Sequence, residues 1–410
     1  MTAFNIATDV HFKVKAKTGF IIGKSPIGGY DGLATDAPLA WYDYGPAVYS
    51  IDIDRSIAVD QSLFIKPQVG TATVRIQYDT VDPMFSASLS PGYQVNIMAD
   101  TNSSGGVAPV SLFNGYIDSV STTYTPLGVT LIEVHCVDYM QKLLNTQITF
   151  SYATTDNWKT RITALYNTIA TAIGYGPPNP YGPSLVFVNT TTANPNGNCT
   201  IPAYATSQTV NSGEWFTKWL DAEGATAWIT GDGYLQICAR DYGTPYVTVP
   251  VATDDINYTS ESTIMYSDIN LTYDAKDALN SLIVSSSATT GVTTAYKKNQ
   301  ASIDLYGEFA QQVSLDVWGT NDAINWANDI TLYDASRRVE SITYPQIRPL
   351  NGEMRVRYYI LGIDLTQKVT VNYTAPVSGY TFSATNMVTR VQHSITTDNW
   401  ITTLELWKGV

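Results

Sequence analysis

Apolar and polar residues alternate with a period of two along one stretch of this chain after another, and that pattern commits it to β-sheet. Ile51, Ile53, Ile57 and Val59 alternate with Asp52, Asp54, Ser56 and Asp60. Ala72, Val74, Ile76 and Tyr78 alternate with Thr73, Arg75, Gln77 and Asp79, and Tyr93, Val95 and Ile97 repeat the rhythm. Successive side chains of a strand point to opposite faces, so each stretch offers one face to a core and one to solvent or a neighbour. Charged residues form only 14% of the 410, against the usual quarter or so. Tyrosine, glycine, threonine and serine take their place, a composition suited to pleated surface and to surface covered by partners.

The alternation divides the chain. Residues 1–44 read as an N-terminal arm, basic through Lys13, Lys15, Lys17 and Lys24, although the whole chain has a formal net charge of −13. Lys13, Lys15 and Lys17 are therefore candidates for docking on an acidic neighbour. Such an arm should be removable, as residues 1–24, with the rest still folded. Residues 45–150 form a first β block with a short closing helix over Asp138–Leu144. Regularly spaced strands with turns between them predict a barrel or sandwich.

Residues 151–262 change character and predict a small α+β insert. Trp158, Ile162, Leu165, Ile169 and Ile173 lie at helical spacing, with Asp156 as cap and Gly174 as stop. A second helix starts at Asn211 with Glu214 in the capping-box position, carries Trp215, Phe216, Trp219 and Leu220, and ends at Gly224. A hairpin turning at Gly231-Asp232-Gly233 follows.

Residues 263–410 return to β. Ile269, Leu271 and Tyr273 alternate, as do Met354, Val356, Tyr358 and Ile360, then Val369, Val371 and Tyr373. One helix is expected from Thr320 to Arg338, with Ile324, Ala327, Ile330 and Tyr333 for its buried side. Both blocks end in a long hairpin, Gly115–Asp138 and Val388–Trp407. A duplication would produce that arrangement, although the residues of the two blocks match poorly. The 410 residues end with the second hairpin, and an end of that kind is what a part moulded into an assembly is expected to have.

Catalytic and metal-binding chemistry finds little purchase. The three histidines are scattered. His11 lies in the arm, and His393 sits between Val391 and Ile395 on an apolar strand face, where packing is expected. His135 shares a strand face with Glu133, beside Cys136, but third and fourth metal ligands are missing. Asp52 and Asp54 read as a solvated strand face, and Asp221 and Glu223 as the end of a helix. Trp215, Trp219 and Trp228 would suit sugar stacking, yet the first two share a helical face and read as core. No HExxH, GxSxG, Walker A or GxGxxG pattern occurs, and no cofactor is expected.

Cys136, Cys199 and Cys238 are too few and too scattered for a disulfide framework, which points to folding in a reducing cytoplasm. The first residues lack the charged start and apolar core of a signal peptide, and no apolar run is long enough to span a membrane. The acidic balance argues against gripping nucleic acid, though it suits a wall past which nucleic acid must move without sticking.

Three stretches carry a family likeness. The first is Leu112-Phe-Asn-Gly-Tyr-Ile-Asp-Ser-Val120 leading to Val134-His-Cys-Val-Asp-Tyr139. The second is Glu214-Trp-Phe-Thr-Lys-Trp-Leu-Asp-Ala-Glu-Gly224 running into Gly231-Asp-Gly-Tyr-Leu-Gln-Ile-Cys-Ala-Arg240. The third is Val388-Thr-Arg-Val-Gln-His-Ser-Ile395 with Trp400-Ile-Thr-Thr-Leu-Glu-Leu406. In pattern and order these resemble the tail hub proteins of long-tailed bacteriophages, often labelled minor tail proteins, across most of residues 45–410.

The resemblance implies a mainly β chain in which two tube-type β-barrel domains, 45–150 and 263–410, flank the α+β hub insert 151–262. It implies a homotrimer whose two barrels per copy close a pseudo-six-fold ring at the virion tail tip. Its partners would be the distal tail protein above, the tape-measure protein within and a central fibre or tail-tip protein below, with DNA passing through the lumen. No enzyme activity and no membrane insertion are implied. Some hubs carry a cell-wall hydrolase domain after the hub; the 410 residues run only to the second barrel, so that activity is not expected of them, and the basic arm is not explained by the family. A glycan-binding or glycan-cleaving β protein is the alternative from another class.

Overall fold

The computed structural model describes residues 10–17, 39–60, 63–78, 89–99, 109–124, 130–173, 185–188, 199–238, 251–253, 263–274, 278–286, 294–318, 321–329, 332, 336–344, 360–374, 379–397 and 399–407. The first block contains β1 (Val10–Lys17), β2 (Leu39–Asp43), β3 (Val48–Asp60), β4 (Phe64–Pro67), β5 (Thr71–Tyr78), β6 (Gln94–Ala99), β7 (Val110–Tyr124) and β8 (Thr130–Asp138). Helix α1 (Met140–Asn145) follows, with the backbone N–H of Met140 donating to the buried Asp138 carboxylate at 2.9 Å. The middle of the chain holds β9 (Gln147–Tyr152), β10 (Asp156–Asn157), α2 (Trp158–Ala172), β11 (Leu185–Val188), β12 (Thr200–Ile201), β13 (Tyr204–Asn211), α3 (Ser212–Glu223), β14 (Thr226–Ile229) and β15 (Leu235–Cys238). Then come β16 (Val251–Thr253), β17 (Thr263–Met265), β18 (Asp268–Asp274), β19 (Ser281–Ser286), β20 (Thr294–Lys298), α4 (Gln300–Tyr306), β21 (Ala310–Leu315), α5 (Asp322–Asp329), β22 (Ser336–Tyr344), β23 (Lys368–Thr374), β24 (Thr381–Thr396) and β25 (Trp400–Trp407).

The two β blocks are copies of one antiparallel unit. In the first the strands lie in the order β3-β5-β8-β7-β6, and in the second β18-β22-β25-β24-β23. Each long hairpin has an irregularity at the same place, between Ile117 and Ser119 in β7 and between Val388 and Arg390 in β24. From there both ladders run to the turn in step, Ser119↔His135 to Tyr124↔Thr130 and Arg390↔Glu405 to Ile395↔Trp400. On the neighbouring strand Val95 and Ile97 correspond to Val369 and Val371, and all four are buried.

The turn that enters that strand is duplicated as well. Gly92 N–H donates to Ile117 O at 2.7 Å and Ile117 N–H to Tyr93 O at 2.8 Å. Thr366 N–H donates to Val388 O at 2.8 Å and Val388 N–H to Gln367 O at 2.8 Å. Both turns need a positive φ at their third position. Gly92 supplies +86° without steric cost, while Thr366 adopts +65°.

The copies meet edge to edge. The second half of β24 pairs antiparallel with β3, Arg390↔Ser56 to Thr396↔Ser50, so one large sheet runs through both. One hydrophobic core lies under it, drawn from both copies and including Ile51, Val74, Val134, Ile342, Val391 and Leu404. Among the described residues the strand path ends at β17 and β2 and does not return on itself.

A second core belongs to the insert and to a segment the sequence reading assigned elsewhere. Leu279, Leu282, Val284, Val313, Leu315 and Trp326 pack with Trp158, Phe216 and Trp219 and not with the second block's sheet. Polar contacts fix the association. The Tyr204 hydroxyl donates to Asp316, Trp318 N–H donates to Thr200 O at 2.7 Å, and Thr200 N–H donates to Asp322 Oδ2 at 3.0 Å. That core thus takes in chain on both sides of the expected 262/263 boundary. The chain from β19 to α5 lies within the connection from β18 to β22, where the first copy has only β4 between β3 and β5. Conversely β16 and β17, expected in or beside the insert, extend the second copy's sheet beyond β23.

Two helix expectations change in detail. Helix α2 is capped by Asn157, which accepts from Lys159 N–H at 2.8 Å, and not by Asp156, whose carboxylate is occupied by Asn157 N–H at 2.9 Å. The helix expected over Thr320–Arg338 stops at Asp329, because Ser336–Tyr344 is a strand hydrogen-bonded to both β18 and β25. Its buried residues are Ala323, Trp326 and Ala327, while Ile324 is exposed. Ile330 and Tyr333 lie outside the described residues, as do Met354, Val356 and Tyr358. Helix α3 matches its expectation: Asn211 accepts from Gly213 N–H at 2.8 Å, and Gly224 ends it at φ +68°.

The N-terminal segment is not an arm over its described part. β1 is flanked on both sides, pairing with β2 and with β6, and it buries Val10, Phe12 and Val14 in the common core. Lysines at alternate positions hid this strand, because they make its polar face read as a basic arm.

Candidate assembly surface

The seam between β24 and β3 has two faces of different chemistry. On the core side Ile51, Ile53, Val391, His393 and Ile395 are buried, together with Arg55. The Arg55 guanidinium donates to Asp364 at 2.7 Å and approaches the Ile229 carbonyl at 3.5 Å. It thereby ties the first copy to the Thr366 turn of the second copy and to the insert. His393 accepts or donates at Thr402 Oγ1, 2.9 Å away, with its ring edge-on to Trp400 at 6.0 Å. Burial pushes the His393 imidazole down to about 3, and the Arg55 charge acts in the same direction.

On the other side a ladder of ions crosses the seam. Arg390 forks onto both oxygens of Asp54, with Nε to Oδ1 at 2.8 Å, and also donates to Glu405 at 2.7 Å. Gln392 donates to Asp54 at 3.3 Å and Ser394 to Asp52 at 2.9 Å. Arg75 donates to Asp52 at 2.6 Å and to Glu133 at 2.8 Å, and His135 meets Glu133 at 2.9 Å. The Asp54 bond first, then Glu405, raises Arg390 above the ordinary guanidinium range, and Asp52 does the same for Arg75. Four carboxylates against two guanidinium groups leave this half-exposed face acidic. Forked arginine contacts fix register more than they add stability at such exposure.

Asp52 and Asp54 thus lie on the polar face as expected, but each carries an arginine. The sequence reading missed Arg75, Arg390, Glu405 and Arg55. Arg75 and Arg390 stand on the polar phase of their strands, so periodicity places them on this face; their partners come from strands distant in sequence. The His135–Glu133 pair is real, but Arg75 already occupies Glu133, and no group of three or more metal-type ligands occurs among the described residues. Trp215 and Trp219 pack edge to face at 5.6 Å within the insert core, and Trp228 is buried in the core of the two copies. None of these three rings offers a face to a sugar.

Lys13 and Lys15 are half-buried on the side of β1 opposite Phe12, and Lys15 Nζ lies 5.6 Å from the Trp41 ring centroid. Lys17 stands in register with Leu39 at the end of the β1–β2 ladder. His11 meets Asp43 at 2.6 Å, so it is held in the sheet. No described helix is long and apolar enough to cross a membrane.

No protein-family model matches the chain, and no curated protein matches it. Solved structures do. A tail protein from Neisseria meningitidis superposes with a TM-score of 0.59 at 12% identity, covering 97% of this chain and 96% of its own. The chain has a tail-protein fold. A 43 kDa prophage tail protein from Shewanella oneidensis gives 0.54 at 11% identity, with 98% of both chains covered. A prophage tail protein from Listeria monocytogenes gives 0.50 at 10%, covering 98% of this chain and 96% of its own. At such identities the likeness concerns the tail-protein fold alone, and it extends over nearly the whole chain: copies, insert and seam together.

Proposed function

We propose that this chain is a structural phage tail-tip hub, a homotrimer whose two sheet copies per chain close a pseudo-six-fold ring. The reading rests on one observation above the rest: two copies of one antiparallel unit are joined edge to edge within the chain. Repeating that joint between chains generates a ring, and three chains would present six similar units. Such a ring would join the tail tube and distal tail protein to a central fibre or spike, with the tape-measure protein and then DNA in its lumen. The net charge of −13 and the acidic ladder at the seam suit a channel that DNA leaves without sticking. The role is geometric, with no residue assigned to catalysis, and its place is the virion tail tip after folding in the host cytoplasm. Lys13, Lys15 and Lys17 remain candidates for a neighbour's acidic surface, now as one face of β1.

Solution mass by light scattering, with negative-stain images of the same peak, tests the reading. Three copies of 44.8 kDa would weigh about 134 kDa and show a central hole. A monomer at every concentration that binds or cleaves a cell-wall glycan would replace the hub by the glycan-active alternative.

A further inference from the structure

The internal repeat leaves two edges over. Inside the chain the second half of β24 is covered by β3. Its counterpart in the first copy, Ser119–Tyr124 of β7, has β8 on one side and, among the described residues, no strand on the other. The counterpart of β3 is β18, which has β22 on one side and no described strand on the other. We propose that these edges pair with each other between neighbouring copies of this chain, β7 of one against β18 of the next, antiparallel. The proposal rests on the ring reading and supplies its intermolecular contact.

The internal seam fixes the register. Ile395↔Ile51 translates, through the matching hairpins and ladders, into Tyr124↔Ile269; counting on along β18, past a bulge opposite it in β22, His393↔Ile53 becomes Thr122↔Leu271. Val391↔Arg55 becomes Val120↔Tyr273. Burial separates the made seam from the unmade one. Ile51, Ile53, Val391 and Ile395 are buried, whereas Tyr124 is 71% exposed, Leu271 is 36% exposed, and Val120 and Ile269 are half-buried. On the polar side Ser121 and Thr123 would face Thr272 and Asn270, so no like charges meet there. Free edges are normally blunted by lysine or proline, and neither stretch contains one. Each copy carries one edge of each kind, which makes the contact head-to-tail and able to close a ring.

Paired cysteines test the register in the full chain, whose own three cysteines are buried. Mild oxidation of a T122C/L271C variant should give covalent species of two and three chains on a non-reducing gel. T122C/N270C, one residue out of step, should cross-link about tenfold less, because its side chains point to opposite faces. Both substituted sites of the first variant lie at the strand surface, and melting curves would confirm native folding. As a second measurement on the unsubstituted protein, amide exchange in Ser119–Tyr124 and Ile269–Asp274 should slow on oligomerisation. A multi-chain species by light scattering without in-register cross-links or slowed exchange would overturn this pairing and leave the ring intact. A monomer at all concentrations would overturn both.

Discussion

Thr366 is explained by its counterpart and by nothing in its own surroundings. It is the only described non-glycine residue with positive φ, and the equivalent residue in the first copy is Gly92. A β-branched residue there costs about 1–2 kcal/mol. Thr366→Gly should recover that, less the extra freedom of glycine in the unfolded chain, for a net gain of about 0.5–1 kcal/mol. A rise in the urea midpoint with unchanged slope would show it, and a fall would mean that the Thr366 side chain holds the turn.

His393 makes a pH prediction. Its folded pKa of about 3 lies below the ordinary 6.5, so between these values the unfolded chain takes up a proton that the folded chain refuses. Its contribution is complete above pH 6.5 and is lost as pH falls towards 3. Burial raises the Asp138 carboxyl to about 7 against the N–H groups of Gly70 and Met140 and the Arg55 charge, and that works in the opposite sense. The comparison must therefore be with a variant. Between pH 7 and pH 5 wild type should lose about 2 kcal/mol relative to His393→Gln. Parallel stability curves would exclude titration of His393. The burial of His393 was legible from its place between Val391 and Ile395. Its Thr402 and Trp400 partners lie across the expected closing hairpin and needed only its register, whereas Arg55 reaches it through the pairing of strands far apart in sequence.

At the scale of elements, β1 changes what truncation should do. An arm could be removed without harm, but a strand contributing Val10, Phe12 and Val14 cannot. Burial of three such side chains is worth on the order of 5 kcal/mol. Deleting residues 1–24 should therefore lower the melting temperature sharply or abolish soluble expression, and an unchanged melt would show β1 to be dispensable. Strand and helix types were largely readable, because alternation and capping are local. What failed was allegiance. β19 has the same alternation as a strand of the repeats, and only tertiary contacts such as Tyr204 with Asp316 reveal that it belongs to the insert core. Helix α5 was over-extended because the apolar spacing runs on past Asp329, while the demands of β18 and β25 for a partner end it.

For the molecule as a whole, the sequence showed two β blocks around an insert but not how alike the blocks are. Few residues match between them, because the sheet requires only buried apolar groups in phase, and Ile97 with Val371 or Val134 with Leu404 meets that need equally. The seam was invisible for the same reason: nothing local marks Arg390 as the partner of Asp54, although the two meet from opposite ends of the chain. The tether at that seam has a mechanical consequence. β24 and β3 belong to one polypeptide, so their meeting is set by the chain and survives any dilution, whereas a seam between copies obeys mass action. A ring built from such copies would have alternate strong and weak joins. Under load it would part at the weak ones first, each pair of sheet units moving as a rigid arc, and its aperture would widen in three steps of rotation rather than by even stretching all round.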